Sequence, residues 1–575
     1  MAENNRDGRR LVLTGNPVSQ GIAVARAYVY GEREPEVCRR HYEPGREAEK
    51  LEGFHRAVGL AKEELARLAE ESDAVAWAEI LQAHCMILED HELLLRTESA
   101  VREERLEPEA AVEKVFEEFA GLLAQAVDPL IAARSADIRD VKKRLIRVCQ
   151  GREERRLSRL EQDVIVVAKE LLPGDTATLD PAHVKGIVTE DGGCNSHSAI
   201  LARSHGIPAV AGVADVLCRV PHGALLALDA VKGQVILEPS EEELDLCRKG
   251  QEEMLRKRSM EDRYLSRPGA TKDGVSVEVG INVESARFEV PGEHYDYIGL
   301  LRTEFLYMGS SALPSEEEQF QAYKQVLIRA GGKPVTLRTL DIGGDKRPPC
   351  LWLPKEENPF LGNRALRLCF ARPELFMTQL RAALRASAYG DLWLMFPMAG
   401  GIEDIRLAKS YVREAMARLE EGGLSYNPHI RLGIMVEVPS VALTADLAAE
   451  EVDFASVGTN DLTQYVCAAD RTNREAAAYY RSYSPAMLRL LEEVFAAFGE
   501  RNKPVSVCGE MAGSPQGAVL LTGLGARKLS MSPACLAGVK AALAKITLEE
   551  ARALAHRCRQ LKTQEEILDC LGVGH

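Results

Sequence analysis

No stretch of about 18 consecutive apolar residues occurs in the 575-residue chain, so membrane insertion is not expected. The opening, MAENNRDGRR, is charged where a secretion signal would be apolar, so the expected location is cytoplasmic. Positive charge is the scarcer sign: 72 Lys and Arg stand against 87 Asp and Glu, a net charge of −15. That balance argues against nonspecific binding to nucleic acid or anionic lipid and favours partners with basic faces. The 13 cysteines are odd in number, scattered, and never spaced as CxxC, which excludes a disulfide framework and a zinc ribbon. There is no internal repeat, no Walker A loop and no Rossmann fingerprint.

What remains is ordinary globular composition, 46% hydrophobic and 28% charged, over a length that at about 150 residues per domain implies several units. The opening, GNPVSQGIAVARAYVY, mixes β-branched residues with turn formers and is too short to fold alone. From Glu47 the apolar positions Leu51, Phe54, Val58, Ala61, Leu65 and Leu68 recur at three- and four-residue spacing, one face of a long helix. Further helical stretches run through Val75 to Leu95, Val112 to Ala126 and SADIRDVKKRLI. From Asp163 the texture reverses to short β-branched runs: DVIVVAKE, VKGIVTE, PAVAGV, ALLALDAV and GQVILEP. The reading is a multidomain α/β chain. Residues 10–30 join 150–240 in a small α/β domain, a helical bundle (31–149) is inserted between them, and 241–268 is a helical linker. In 269–575, eight strand candidates separated by helices predict a (β/α)₈ barrel, whose site would lie where the strands end.

Charged residues collect at those strand ends. Arg302 and Glu304 lie in GLLRTEF, Arg338 and Asp341 in LRTLDIGGDK, Glu437 in GIMVEVP, Asn460 and Asp461 in SVGTNDLTQY, and Cys508 in VSVCGEMAG. Arginines gathered on one face recognise phosphate or carboxylate bidentately, and two carboxylates from neighbouring strands can hold Mg²⁺. Each arginine alone is better explained by a rim salt bridge, and Cys508 alone by a small buried hydrophobe, but for the whole set, gathered at strand ends, the rim reading loses. A second site is DGGCNSHSAILAR, where a strand, a Gly-Gly turn and a helical run put Ser196 and His197 near a helix N-terminus, a favourable place for an anion.

The stretch GGCNSHSAILARSHGIPAVAG resembles the phosphohistidine motif of the phosphoenolpyruvate-utilising enzymes. The segments GLLRTEFLYM, LRTLDIGGDK, KEENPFLGNRALR, QLRAALRAS, VGTNDLTQY and CGEMAG resemble, within them, the Enzyme I family of the phosphoenolpyruvate-dependent sugar phosphotransferase system. The resemblance implies that His197 is the phosphorylated nucleophile, with Thr176 as its hydrogen-bond partner. It implies that Arg302, Arg338, Arg364, Asn460 and Arg471 bind phosphoenolpyruvate, that Glu437 and Asp461 hold Mg²⁺, and that Cys508 protonates the enolate to pyruvate. A swivelling small domain, a helical insertion that docks a histidine-containing phosphocarrier protein, and homodimerisation through the barrel are further implications. Two departures stand out: Cys194-Asn195 replaces the family's usual Arg-Thr before Ser-His, and Asn363 replaces a common tryptophan. They leave open a specialised or regulatory paralogue with weak turnover. Dikinase and synthase relatives need a nucleotide-binding domain ahead of the histidine domain, for which no phosphate loop is present.

Overall fold

The strands at the start of the chain find their partners far along the sequence. In the computed structural model β1 (Leu11–Thr14), β2 (Asn16–Ser19) and β3 (Ile22–Tyr30) join β4 (Val164–Ala168), β5 (Val184–Thr189), β6 (Ala209–Ala211), β7 (Leu225–Asp229) and β8 (Gln234–Leu237). They form one eight-stranded sheet in the order β1-β8-β7-β3-β4-β5-β6-β2. β3 is parallel to β4, with Arg26 opposite Val164, and antiparallel to β7, with Ile22 opposite Asp229. Every residue of β4 is buried. Because side chains alternate across a strand, Ile165 and Val167 enter one core while Val164, Val166 and Ala168 enter the other. The structure describes residues 11–30, 41–71, 84–124, 129–151, 162–171, 182–192, 206–285, 294–308, 312–344, 346–473 and 475–572, with 157, 160, 179, 198–199, 202–203, 288 and 310.

Between β3 and β4 the chain makes helices α1 (Glu47–Glu71), α2 (His91–Glu103), α3 (Pro108–Ala124) and α4 (Pro129–Cys149). Phe54, Val58, Ala61 and Leu65, the face expected from the spacing, are buried against Val101, Val112, Phe116 and Ile146. Arg147, itself buried, meets Glu64 at 2.5 Å, and Lys142 meets Glu117 at 2.7 Å, so charges at the core's edge are paired. After β8, helix α5 (Glu241–Asp262) begins with a capping box between Ser240 and Glu243. It is polar almost all round, burying only Leu244 and Cys247. One part of it touches the sheet, where Gln251 Nε2 donates to the Ile22 carbonyl at 3.0 Å. Just past its other end, the Leu265 carbonyl accepts from Lys540 Nζ at 3.2 Å.

The rest is a closed barrel of parallel strands: β9 (Glu278–Val283), β10 (Ile298–Leu301), β11 (Val335–Arg338), β12 (Leu392–Phe396), β13 (Arg431–Val436), β14 (Phe454–Val457), β15 (Val505–Val507) and β16 (Lys528–Met531). The eight strands expected from the sequence are present; Arg338 ends the third, and Cys508 falls just beyond the seventh. The interior is filled by Leu300, Trp393, Met395, Met435, Phe454 and Cys508. Glycine at 433 makes room for that packing, since a β-carbon there would lie 2.6 Å from the Phe454 ring. Gly433→Ala is therefore expected to destabilise the barrel by about 1–3 kcal/mol, the usual cost of overpacking a filled core. A denaturant titration followed by tryptophan fluorescence checks this, and an unchanged midpoint would show that Phe454 can yield. Among the described residues no helix is long and apolar enough to cross a membrane.

Candidate active site

The strand ends of the barrel bring the charged segments to one mouth. Arg302 follows β10, Arg338 is the last residue of β11, Glu437 follows β13 and Cys508 follows β15. Asn460 and Asp461 occupy the first turn of the helix Thr459–Cys467, directly after β14. Arg364 comes from the loop that follows β11, and its guanidinium grips Asp341 at 2.9 and 3.2 Å while reaching Asp461 at 3.3 Å. Tyr465 braces it, accepting from Arg364 Nη1 at 3.2 Å and donating to the Phe360 carbonyl at 2.6 Å. Arg338 pairs with Glu304 and, at 3.1 Å, with Asp341. Lys346 stands at 3.1 Å from Asp341 and 3.3 Å from Glu304. Arg471 lies 3.8 Å from Asp461, and Arg302 pairs with Glu284 at the rim.

Burial would disfavour the charges of Asp341, Asp461 and Glu437, so their neighbours decide their state. Burial works to raise the Asp341 carboxyl, but Arg364, Lys346 and Arg338 outweigh it and hold it well below the usual carboxylate range. Asp461 is likewise held low by Arg471 and Arg364 against its burial. Glu437 is the exception. Burial, reinforced by the charges of Asp461 and Asp341, pushes its carboxyl up to about 8. Its Oε1 accepts the Met398 N–H at 2.6 Å, with Met398 in the left-handed region at φ 55°, while its Oε2 is buried without a partner. A carboxylate oxygen stranded beside a second carboxylate is the arrangement a divalent cation completes. Among the described residues no three His, Cys, Asp or Glu side chains gather as a metal cluster. Two oxygen donors of this kind are the chemistry a hard divalent cation such as Mg²⁺ takes up.

The mouth holds further buried polar atoms with no protein partner, among them Arg302 Nε, Arg338 Nε and Glu304 Oε2. Unsatisfied groups of this kind, clustered where arginines converge, mark a place for a polar, anionic ligand. Cys508 is at the floor, 6% exposed, its Sγ 3.6 Å from the Val457 carbonyl. Burial pushes its thiol up, so it stays protonated at neutral pH. Asn460 Oδ1 accepts the Glu510 N–H at 3.1 Å and so ties the Cys508 loop to the Asp461 helix.

All the barrel residues singled out in the sequence thus stand on one face, with Arg302 nearest solvent. His197 and Thr176, like Cys194, Asn195 and Ser196, lie outside the described residues. Beside them Asp191 and Gly192 follow β5, and Ser198 and Ala199 are buried and helical. Sequence reasoning gave no role to Lys346, Tyr465 or Met398. Lys346 sat in the quoted segment LRTLDIGGDK, where a lysine next to a Gly-Gly turn was a usable signal. Nothing in the sequence announces that Tyr465 would reach Arg364, because that contact is made only by the fold.

Three family models match the chain: the PEP-utilising enzyme PEP-binding domain over residues 258–548, the PEP-utilising enzyme N-terminal region over 14–134, and the PEP-utilising enzyme mobile domain over 160–233. The phosphoenolpyruvate-protein phosphotransferase of Listeria monocytogenes is 39% identical over 562 residues, covering 97% of this chain and 98% of that protein. That of Bacillus subtilis is 40% identical over 562 residues, with the same coverage. The phosphoenolpyruvate-protein phosphotransferase of Geobacillus stearothermophilus is 40% identical over 566 residues, covering 97% of each chain. A likeness of this extent, spanning bundle, sheet and barrel in one order, places the chain in the PEP-utilising enzyme family, in its branch of phosphoenolpyruvate-protein phosphotransferases.

Proposed function

We propose that the chain takes the phosphoryl group of phosphoenolpyruvate onto His197, releases pyruvate, and passes the group to a histidine of a phosphocarrier protein. The observation that carries the reading is the mouth itself: buried arginines, two carboxylates and a protonated thiol around polar atoms without partners. Arg302, Arg338, Arg364 and Arg471, with Asn460, would grip the phosphate and carboxylate of the substrate. Glu437 and Asp461 would hold Mg²⁺, which supplies electrostatic neutralisation of the substrate's oxygens when bound. The imidazole of His197 attacks phosphorus in line, the P–O bond to the enol oxygen breaks, and its electron pair stays with the enolate. Cys508 gives its proton to the methylene carbon, making pyruvate.

One histidine must then serve two sites, the barrel mouth and a partner protein. A small α/β domain carrying His197 on the polar helix α5 meets that need by swinging between them. We assign 10–30 with 150–240 to that domain, 31–149 to the phosphocarrier dock, 241–268 to the linker and 269–575 to a barrel that also forms the homodimer. The acidic charge of the chain suits a basic carrier face, and the cytoplasm is the compartment in which such a carrier is met. The specialised-paralogue alternative rests on the departures at Cys194-Asn195 and Asn363, neither of which removes a group given a chemical role.

Incubating the full chain with phosphoenolpyruvate and Mg²⁺, without nucleotide, tests the reading. The expected result is a gain of one phosphoryl group, acid-labile and located on the His197 peptide, with matching pyruvate, both lost on chelation. Pyruvate without protein phosphorylation, or phosphorylation only when nucleotide is added, would overturn it.

A further inference from the structure

Resting on that reading, we propose that Arg203 and Glu510 form a docking latch that holds the histidine-bearing domain on the barrel mouth for transfer from phosphoenolpyruvate, and releases for transfer to the carrier. Arg203 follows His197 within the segment SHSAILAR, and its Nη1 lies 3.4 Å from Glu510 Oε1 on the barrel. The pair is 32% and 59% exposed, and an ion pair so exposed within one rigid body would be worth almost nothing. Its position gives it a different weight. Glu510 begins the short helix Glu510–Gly513, two residues past Cys508, and its N–H is the donor held by Asn460. The latch therefore closes on the loop that carries the proton donor and is tied to a substrate-binding side chain.

Two neighbouring observations fix Arg203 in this place. Cys535, in the turn Pro533–Cys535 after β16, has its thiol raised by burial, with Arg203 pulling it down and Glu510 pushing it up, so all three groups share one corner. On the same segment Gly206, at φ 64°, faces the linker helix: a β-carbon there would lie 3.5 Å from Arg258 Nη1. Arg203 and Gly206 are thus set between α5 and the catalytic loops. An exposed pair suits a latch that must open on every cycle, because a buried pair would have to be stripped of its water each time the domain docked.

The test separates the two half-reactions in the full chain. Arg203→Gln and Glu510→Gln are each expected to slow phosphoryl gain at saturating phosphoenolpyruvate by about two- to fivefold, the range an exposed pair can supply. The KM for phosphoenolpyruvate is expected to hold, and so is phosphoryl gain from the phosphorylated carrier, which does not use the barrel. The charge swap Arg203→Glu with Glu510→Arg is expected to recover the first rate, and added salt to blunt the wild-type advantage. Unchanged single variants, an equal loss in both half-reactions, or a swap no better than the singles would overturn the latch. A wild-type chain that gains no phosphoryl group from phosphoenolpyruvate would instead overturn the functional reading, and the latch with it.

Discussion

Cys508→Ala is expected to slow pyruvate formation by about 10²–10⁴-fold, the usual contribution of a positioned general acid. The argument starts from burial: the thiol is raised above its ordinary range, so at neutral pH it carries the proton a carbanion needs. Little structural work depends on the sulfur. Its polar contacts are weak ones, to the Val457 carbonyl at 3.6 Å and to the Ser456 side chain, and the neighbouring backbone is held separately, by Cys508 N–H to Val457 and by Asn282 Nδ2 to the Cys508 carbonyl at 3.0 Å. The variant should therefore fold and bind phosphoenolpyruvate with an unchanged KM while kcat falls. Exchange of pyruvate methyl protons with deuterated solvent, which runs the same proton step backwards, should fall with it. A variant that keeps the wild-type rate of both would assign the proton to water rather than to the thiol.

The barrel was legible because its strands are short apolar runs, several of them closed by a charged residue as Leu432 to Glu437 illustrates, and because eight such runs alternate with helical spacing. The sheet was less so. β1 to β3 have strand character, but that β3 would lie between β4 and β7 follows from pairing across the inserted bundle, and no local pattern encodes a partner so far away. At the site, the residue types and their order along the chain were readable, and their mutual geometry was not. For a strand-end arginine such as Arg338, rim salt bridge and ligand-binding group are rival readings of the sequence, and for Arg364 only the resemblance points to a ligand. Both residues are in fact buried and ion-paired with Asp341 while standing in the mouth, so one guanidinium serves the fold and faces the ligand. Likewise Glu437 and Asp461, similar in sequence as carboxylates after strands, are driven in opposite directions by surroundings that only folding assembles.

That double duty makes Arg364 the residue whose loss should cost most in stability. It is 2% exposed, pairs with Asp341 at 2.9 Å and Asp461 at 3.3 Å, and is enclosed by Phe360, Tyr465 and the Gly343 turn. Arg364→Met keeps most of the volume but strands buried carboxylates, for which about 3–5 kcal/mol is the ordinary penalty. Lys346 and Arg338 still face Asp341 at 3.1 Å each, so the lower end of that range is expected. Arg364→Lys should fall between, because an ammonium restores the charge but cannot present two parallel N–H groups to Asp341. The decisive variant is the double one: Asp341→Asn with Arg364→Met removes the stranded charge together with its partner, and should be more stable than Arg364→Met alone. Denaturant unfolding of Arg364→Met, Asp341→Asn and the double variant beside wild type measures the cycle. If the double variant is no better than the sum of its parts, the two side chains act independently. The coupling of a substrate-gripping arginine to the barrel's stability would then be lost as an explanation for its depth in the fold.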